Sequence, residues 1–225
     1  MNTLFFAALT FFIFYKLSKQ LGKIDESEKK QIEENLAKRR REIIELQNKI
    51  MTEAGQMRVV NPENKKTEEK ILSSLDDNTK SLLTEIFEKS KISAEFFING
   101  AKSAFEMIIK AFCSGDLDTL KFLLSEKIYQ GFETAITQRK SQEKTLVTNL
   151  ISFESVEIIS AAILDNAASI TVKFVSKQIN YVTNKDGEII EGRKDEINKL
   201  TDIWTFKRDI TSSNPNWIVV STNSN

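Results

Sequence analysis

The chain has 225 residues with 32 basic and 32 acidic side chains, so its net charge is zero and nothing in that balance calls for nucleic acid as a partner. It holds no histidine and a single cysteine, Cys113. That excludes Ser-His-Asp and Cys-His catalysis, His-ligated metal, a cysteine-rich zinc site and an internal disulfide, and it fits a reducing compartment.

The charge is unevenly spread. Lys16 to Lys66 carries 13 basic and 9 acidic residues, while the chain from Thr67 onward carries 19 basic and 23 acidic. A basic segment therefore lies between the N-terminus and an acidic domain. The seven glycines and two prolines form neither a dinucleotide-binding nor a P-loop pattern, and no cofactor is implied.

The first element is apolar. Met1 to Tyr15 has no charged side chain, and Leu4, Phe5, Phe6, Leu9, Phe11, Phe12, Ile13, Phe14 and Tyr15 surround the whole helix rather than marking one stripe. At about 1.5 Å per residue the run spans roughly 22 Å, which Lys16 and Lys19 extend by snorkelling past Leu17 and Leu21. The expectation is a single-pass anchor over 1–21; an interfacial helix and a cleaved signal are the alternatives. The lysines follow the apolar run instead of preceding it, which disfavours a signal peptide. With Lys16, Lys19 and Lys23 C-terminal to the span, the positive-inside rule places the body of the protein in the cytoplasm.

Residues 22–66 read as a charged helical juxtamembrane segment. Leu36, Ile43, Ile50 and Met57 recur every seven residues, but Arg39 and Glu53 occupy the companion seam, so any coiled coil is weak. Lys38, Arg39, Arg40 and Arg41 are placed to meet anionic lipid headgroups, or simply form a solvated helix face. Asn61-Pro62 opens a linker, and 67–92 forms a moderately amphipathic helical lead-in.

The domain proper is expected over 93–225. Phe97, Ala101, Ala104, Phe105, Ile108, Ile109 and Phe112 mark a broad helical face, which makes Cys113 core rather than nucleophile. Gly115 ends that helix and Asp116 caps a short second one. Ser125 caps a third, with Ile128, Phe132 and Ile136 inward. After Lys144 the period becomes two. Strands are expected through SVEIISAAILD, a turn at Asp165-Asn166, then Ile170, Val172 and Phe174, and a hairpin turn at 184–187. Two more strands lie near 200–208 and 216–222. Helices followed by an antiparallel meander give an α+β fold with helices on one face of a curved sheet. In DIWTFKRD, Trp204 and Phe206 share the buried face with Asp202 and Arg208 at its ends, while Ile203, Thr205 and Lys207 point the other way.

These stretches carry a resemblance. FFINGAKSAFEMIIKAFCSGDLDTLKFLLSEKIYQGF (96–132), ITQRK, ASITVKF and DIWTFKRDITSSNPNWIV (202–219) are similar, in order, to the Tim-44-like family, named for a subunit of the mitochondrial inner-membrane import motor. With the short anchor and charged helix, the chain resembles the family's bacterial membrane-anchored members. The resemblance implies a cone-shaped, nuclear-transport-factor-like domain with a pocket. It further implies an adaptor at the bacterial inner membrane, domain on the cytoplasmic side, handling protein translocation or membrane proteins, with possible translocation or chaperone partners and lipid contact.

Three function classes follow. The first is the membrane-anchored protein–protein adaptor, which needs no catalytic residue. The second is a small-ligand or lipid binder, its pocket or partner candidates being Tyr129, Phe132, Tyr181, Asp202, Trp204 and Phe206, all equally at home in a core. The third, an enzyme, is disfavoured because Asp202 is a lone acid/base candidate without an identifiable partner.

Overall fold

A computed structural model describes residues 71–212 and 214–224. The expected anchor, the juxtamembrane helix and the basic residues assigned to headgroup contact lie outside the described residues.

Among the described residues, four helices precede five strands. α1 spans Asp77–Ser90, α2 Ala94–Ser114, α3 Leu117–Leu123 and α4 Glu126–Ser141; β1 spans Thr145–Leu164, β2 Ala167–Thr183, β3 Ile189–Gly192, β4 Asn198–Asp209 and β5 Ile218–Ser224. Local chemistry sets the helix ends. Asp76 accepts the Thr79 N–H at 3.0 Å and its hydroxyl at 2.6 Å, and Ser93 accepts the Phe96 N–H at 3.0 Å. α2 stops at Gly115, whose φ of 71° suits glycine and whose missing Cβ makes room for the Lys140 side chain. Asp116 then caps α3 as expected, accepting the Thr119 N–H at 3.3 Å. Ser125 stands at the N-cap of α4 without a hydroxyl cap bond; its own N–H donates instead to the Val219 carbonyl at 2.9 Å, tying the α3–α4 junction to β5.

The strands form one antiparallel sheet in the order β1-β2-β4-β5, with β3 pairing the far end of β2. β1 begins at Thr145, directly after Lys144 where the period changes, and runs ten residues before the alternation seen in SVEIISAAILD; β3 was not anticipated. The β1–β2 hairpin turns on Asp165-Asn166, with Asp165 at φ 55°, and the 184–187 turn is closed by Asn184 Oδ1 accepting from Asp186 and Glu188 N–H groups. Register shifts fall at Ile151, Glu154 and Ile159 of β1. Such bulges bend a strand and raise its twist, which curves the sheet without closing it.

One face of the sheet is buried beneath the helices. Ile170, Val172 and Phe174 of β2 alternate inward beside Trp204 and Phe206 of β4, with Phe105 of α2 wholly buried above them. The Phe105 ring lies 4.6 Å from Trp204, 4.8 Å from Phe174 and 5.4 Å from Phe153. α1 joins the same core through Leu83, Ile86 and Phe87, and Phe87 meets Phe97 at 6.0 Å. The segment read as a lead-in is thus part of the domain's interior. The other face is wet: the Thr171 and Thr205 hydroxyls meet at 3.1 Å, and Lys173–Glu157 and Lys199–Glu154 pair across strands.

Candidate functional site

A concavity lies where the C-terminal half of α2 passes the start of β1. It is an open groove of about 570 Å³. One wall is the α2 face carrying Glu106, Ile109, Lys110 and Cys113, residues at the i, i+3, i+4, i+7 spacing that puts them in one helical row. The other wall is residues 146–148 and 150–153 of β1. Apolar atoms dominate: Ile109, Leu146, Leu150 and Phe153 are half-buried, and Ile151 is 47% exposed.

α2 is held in place at both ends of this stretch. Its middle is clamped by the Phe105 contacts described above. Its last turn is capped by Arg139 of α4, whose guanidinium donates to the Phe112 carbonyl at 2.5 Å and the Cys113 carbonyl at 3.2 Å while stacking on the Phe112 ring at 4.9 Å. Carbonyls at a helix C-terminus lack intrahelical partners and carry partial negative charge, which a cation satisfies. Arg139 belongs to the ITQRK stretch, and the cap is its structural meaning. Burial lowers the Arg139 pKa from its ordinary value, yet guanidinium stays charged throughout the working range.

None of the six pocket or partner candidates lines this groove. Trp204 and Phe206 are packed in the core, 3% and 2% exposed. Tyr129 is buried in α4 and its hydroxyl donates to Glu133 at 2.8 Å; burial first, then that bond, pushes its pKa up to about 12. Phe132 packs edge-on against Phe112 at 5.0 Å. Tyr181 lies on β2 beneath Lys194, whose ammonium is 5.3 Å from the ring centre. Asp202 is buried where β4 pairs with Phe174 of β2 and Ser224 of β5, and it accepts the Ser224 hydroxyl. Burial raises its pKa above the usual aspartate value, with the Ser224 bond opposing. Nearby on the same face, the buried Gln178 amide donates to the Ser176 hydroxyl at 2.7 Å. At the other end of DIWTFKRD, burial lowers the pKa of half-buried Arg208, and Asp209 opposes that shift.

Among the described residues no group of three or more Cys, Asp or Glu is placed to hold a metal ion, and no helix is long and apolar enough to cross a membrane. The groove escaped the sequence reading as a site because its two walls are some thirty residues apart and only the packing of α2 beside β1 brings them together. The only local signal was the helical row through Ile109 and Cys113.

The Tim44-like domain family matches residues 88–224, which takes in α2 to β5. Among curated proteins, a probable mitochondrial import inner membrane translocase subunit, tin-44 of Caenorhabditis elegans, is 27% identical over 109 residues, 48% of this chain and 26% of that protein. The human mitochondrial import inner membrane translocase subunit TIM44 is 24% identical over 108 residues, 48% of this chain and 24% of that protein. The chain therefore spans about a quarter of the length of the curated relatives it matches. Among solved structures, the intermembrane space region of the chloroplast protein ARC6 overlays with a TM-score of 0.41 and 7% identity, covering 56% of this chain and 95% of that one. With more than half its length matched, including the helix and the strand that wall the groove and the strand that bears DIWTFKRD, the chain belongs to the Tim44-like domain family.

Proposed function

We propose that this protein is a membrane-tethered adaptor in protein translocation, its Tim44-like domain making protein–protein contacts on the cytoplasmic side of a bacterial inner membrane. The observation that carries the reading is the family match over 88–224, shared with relatives named as import translocase subunits. The apolar run from Met1 to Tyr15 supplies the tether, and Lys16, Lys19, Lys23 and 38–41 supply attraction to anionic headgroups. The role is non-catalytic. Asp202 serves the sheet interior, where Ser224 is its partner.

The test is chemical crosslinking in intact membranes followed by affinity capture of the full chain. Recovery of a discrete set of membrane-side proteins, lost on deletion of 1–21, is the expected result. Release of the full chain by alkaline carbonate would overturn the tether, and capture of no protein would overturn the adaptor.

A second reading, a lipid or small-ligand binder, draws on the apolar groove between α2 and β1. Recovery of a bound lipid on delipidating the captured chain, without protein partners, would favour it.

A further inference from the structure

The groove has a geometry that says what it can hold. Successive side chains of a strand point to opposite faces. Yet Leu146, Val147 and Thr148 all line the groove, as do 150–153. Leu146 to Thr148 precede the bulge at Ile151, so consecutive residues of both parities share the cavity there because it runs along the strand's edge. There the wall consists of backbone as much as side chain.

β1 is a free edge. It pairs with β2 on one side, and no other described strand or loop hydrogen-bonds to its outer side. The opposite edge of the sheet is treated differently: Leu124 bridges Val219 of β5, and the Ser125 N–H donates to the Val219 carbonyl. Bulges at Glu154 and Ile159 interrupt β1 further along, which is how natural sheets blunt an edge. Its first six residues, Thr145 to Leu150, keep unbroken register with Thr183 to Gln178. This regular stretch supplies Leu146, Val147, Thr148 and Leu150 of the groove wall. It extends for about 20 Å at roughly 3.4 Å per residue.

We infer that the groove takes an extended, uncharged apolar polypeptide segment, which adds to β1 over 146–150 and lays alternate side chains against Ile109 and Cys113 of α2. Outward N–H and C=O groups on an edge call for a partner with the same groups, and a polypeptide backbone supplies them. An acyl chain fills apolar volume but offers those groups nothing, so their loss of water would go uncompensated. Glu106 and Lys110, one helical turn apart and opposite in sign, leave the helical wall neutral and favour no charged ligand. Ile151, at the bulge, closes the far end of the ladder with an exposed side chain that the segment's last apolar residue can cover. The inference rests on the adaptor reading and names the chemistry its contact surface recognises.

The experiment uses the full chain in mild detergent and three probes. The first is a capped, fluorescein-labelled ten-residue peptide alternating valine with threonine or serine. The second is the same peptide N-methylated at its four central residues, and the third is palmitate. Binding is read by anisotropy and by the alkylation rate of Cys113, the chain's one cysteine and a groove residue. The expected result is saturable peptide binding that slows Cys113 alkylation, with the N-methylated peptide weaker by about tenfold or more because backbone bonds are lost. Ile151→Glu and Ile109→Glu are expected to weaken binding similarly. Ile151→Glu alters an exposed side chain, so its melting temperature should match that of the unmodified chain and separate lost binding from lost folding.

Equal binding of the two peptides would overturn the inference, as would palmitate alone protecting Cys113 or no peptide binding up to millimolar concentration. If membrane crosslinking still recovers protein partners, only the groove assignment falls. If it recovers none, the adaptor reading falls as well.

Discussion

Replacing Arg139 by methionine removes a positive charge while keeping most of the side chain's apolar volume. Two interactions go. The bonds to the Phe112 and Cys113 carbonyls, at 2.5 and 3.2 Å, are charge-assisted and half-buried, worth about 1.5–3 kcal/mol together on typical figures. The stack on Phe112 at 4.9 Å adds about 0.5–1 kcal/mol. The expected cost of Arg139→Met is therefore about 2–4 kcal/mol, or a fall of roughly 5–15 °C in melting temperature for a domain this size. Arg139→Lys should recover less than half of it, because an ammonium is a point donor that does not span two carbonyls as a guanidinium fork does. Urea unfolding followed by the emission of Trp204 and Trp217 measures these differences, and a cycle with Phe112→Leu isolates the stack. Because Cys113 is one of the capped residues, fraying of the last turn should also speed its alkylation. A cost for Arg139→Met within about 0.5 kcal/mol of zero would show that the cap is incidental and refute the reasoning.

Phe105→Ala should cost about 3–5 kcal/mol, since Phe105 is 0% exposed and three rings lose a partner; unfolding in urea measures it. Asp202→Asn keeps an acceptor for Ser224 and removes a charge that burial disfavours. Because the folded pKa is raised, the neutral aspartic acid favours the fold below the unfolded value and this contribution is lost as pH rises through the folded pKa. The variant should therefore melt higher than the parent at pH 7, with the gap closing as pH falls toward the ordinary aspartate range; a gap independent of pH would argue against it. Gly192→Ala should detach β3, because φ is 72° and a Cβ there would stand 2.2 Å from the Asn180 carbonyl oxygen. The readout is hydrogen exchange, with faster exchange at 181–183 and little change elsewhere.

The helical half of the domain was readable because its signals are local. Gly115 and Asp116 stand side by side, and the apolar row from Phe97 to Phe112 needs only one helix's period to be seen. The first ten residues of β1 showed no clean alternation for an equally definite reason. In TLVTNLISFE the bulges at Ile151 and Glu154 shift the pleat twice, so the alternation expected of a half-buried strand is lost across the second half of that stretch. β3 is four residues long, two of them half-exposed isoleucines, too short to show any period. In DIWTFKRD, alternation placed Trp204 and Phe206 inside and Lys207 outside, as found. It placed Asp202 at the end of that face without naming its partner, because the partner, Ser224, is set by the register of β5. The groove was hidden for a related reason. Which strand ends a sheet depends on pairing order, and side-chain alternation carries no record of it.

This division bears on where the family signature and the contact surface meet. Trp204 does not reach the groove, but it touches Phe105 at 4.6 Å, and Phe105 is one residue from Glu106, where the helical wall begins. Phe153 touches Phe105 as well and is itself a groove residue. The aromatic cluster thus fixes the crossing of α2 over the sheet, and Arg139 fixes the helix's last turn; between those two points lie Ile109 and Cys113. A helix held at both ends gives the strand edge a fixed opposite wall, against which a segment added by backbone pairing can lie. The signature then acts on recognition at one remove. Trp204→Leu should loosen α2 and weaken peptide binding more than it weakens the sheet, whereas a substitution on the wet face at Thr205 should leave binding unchanged.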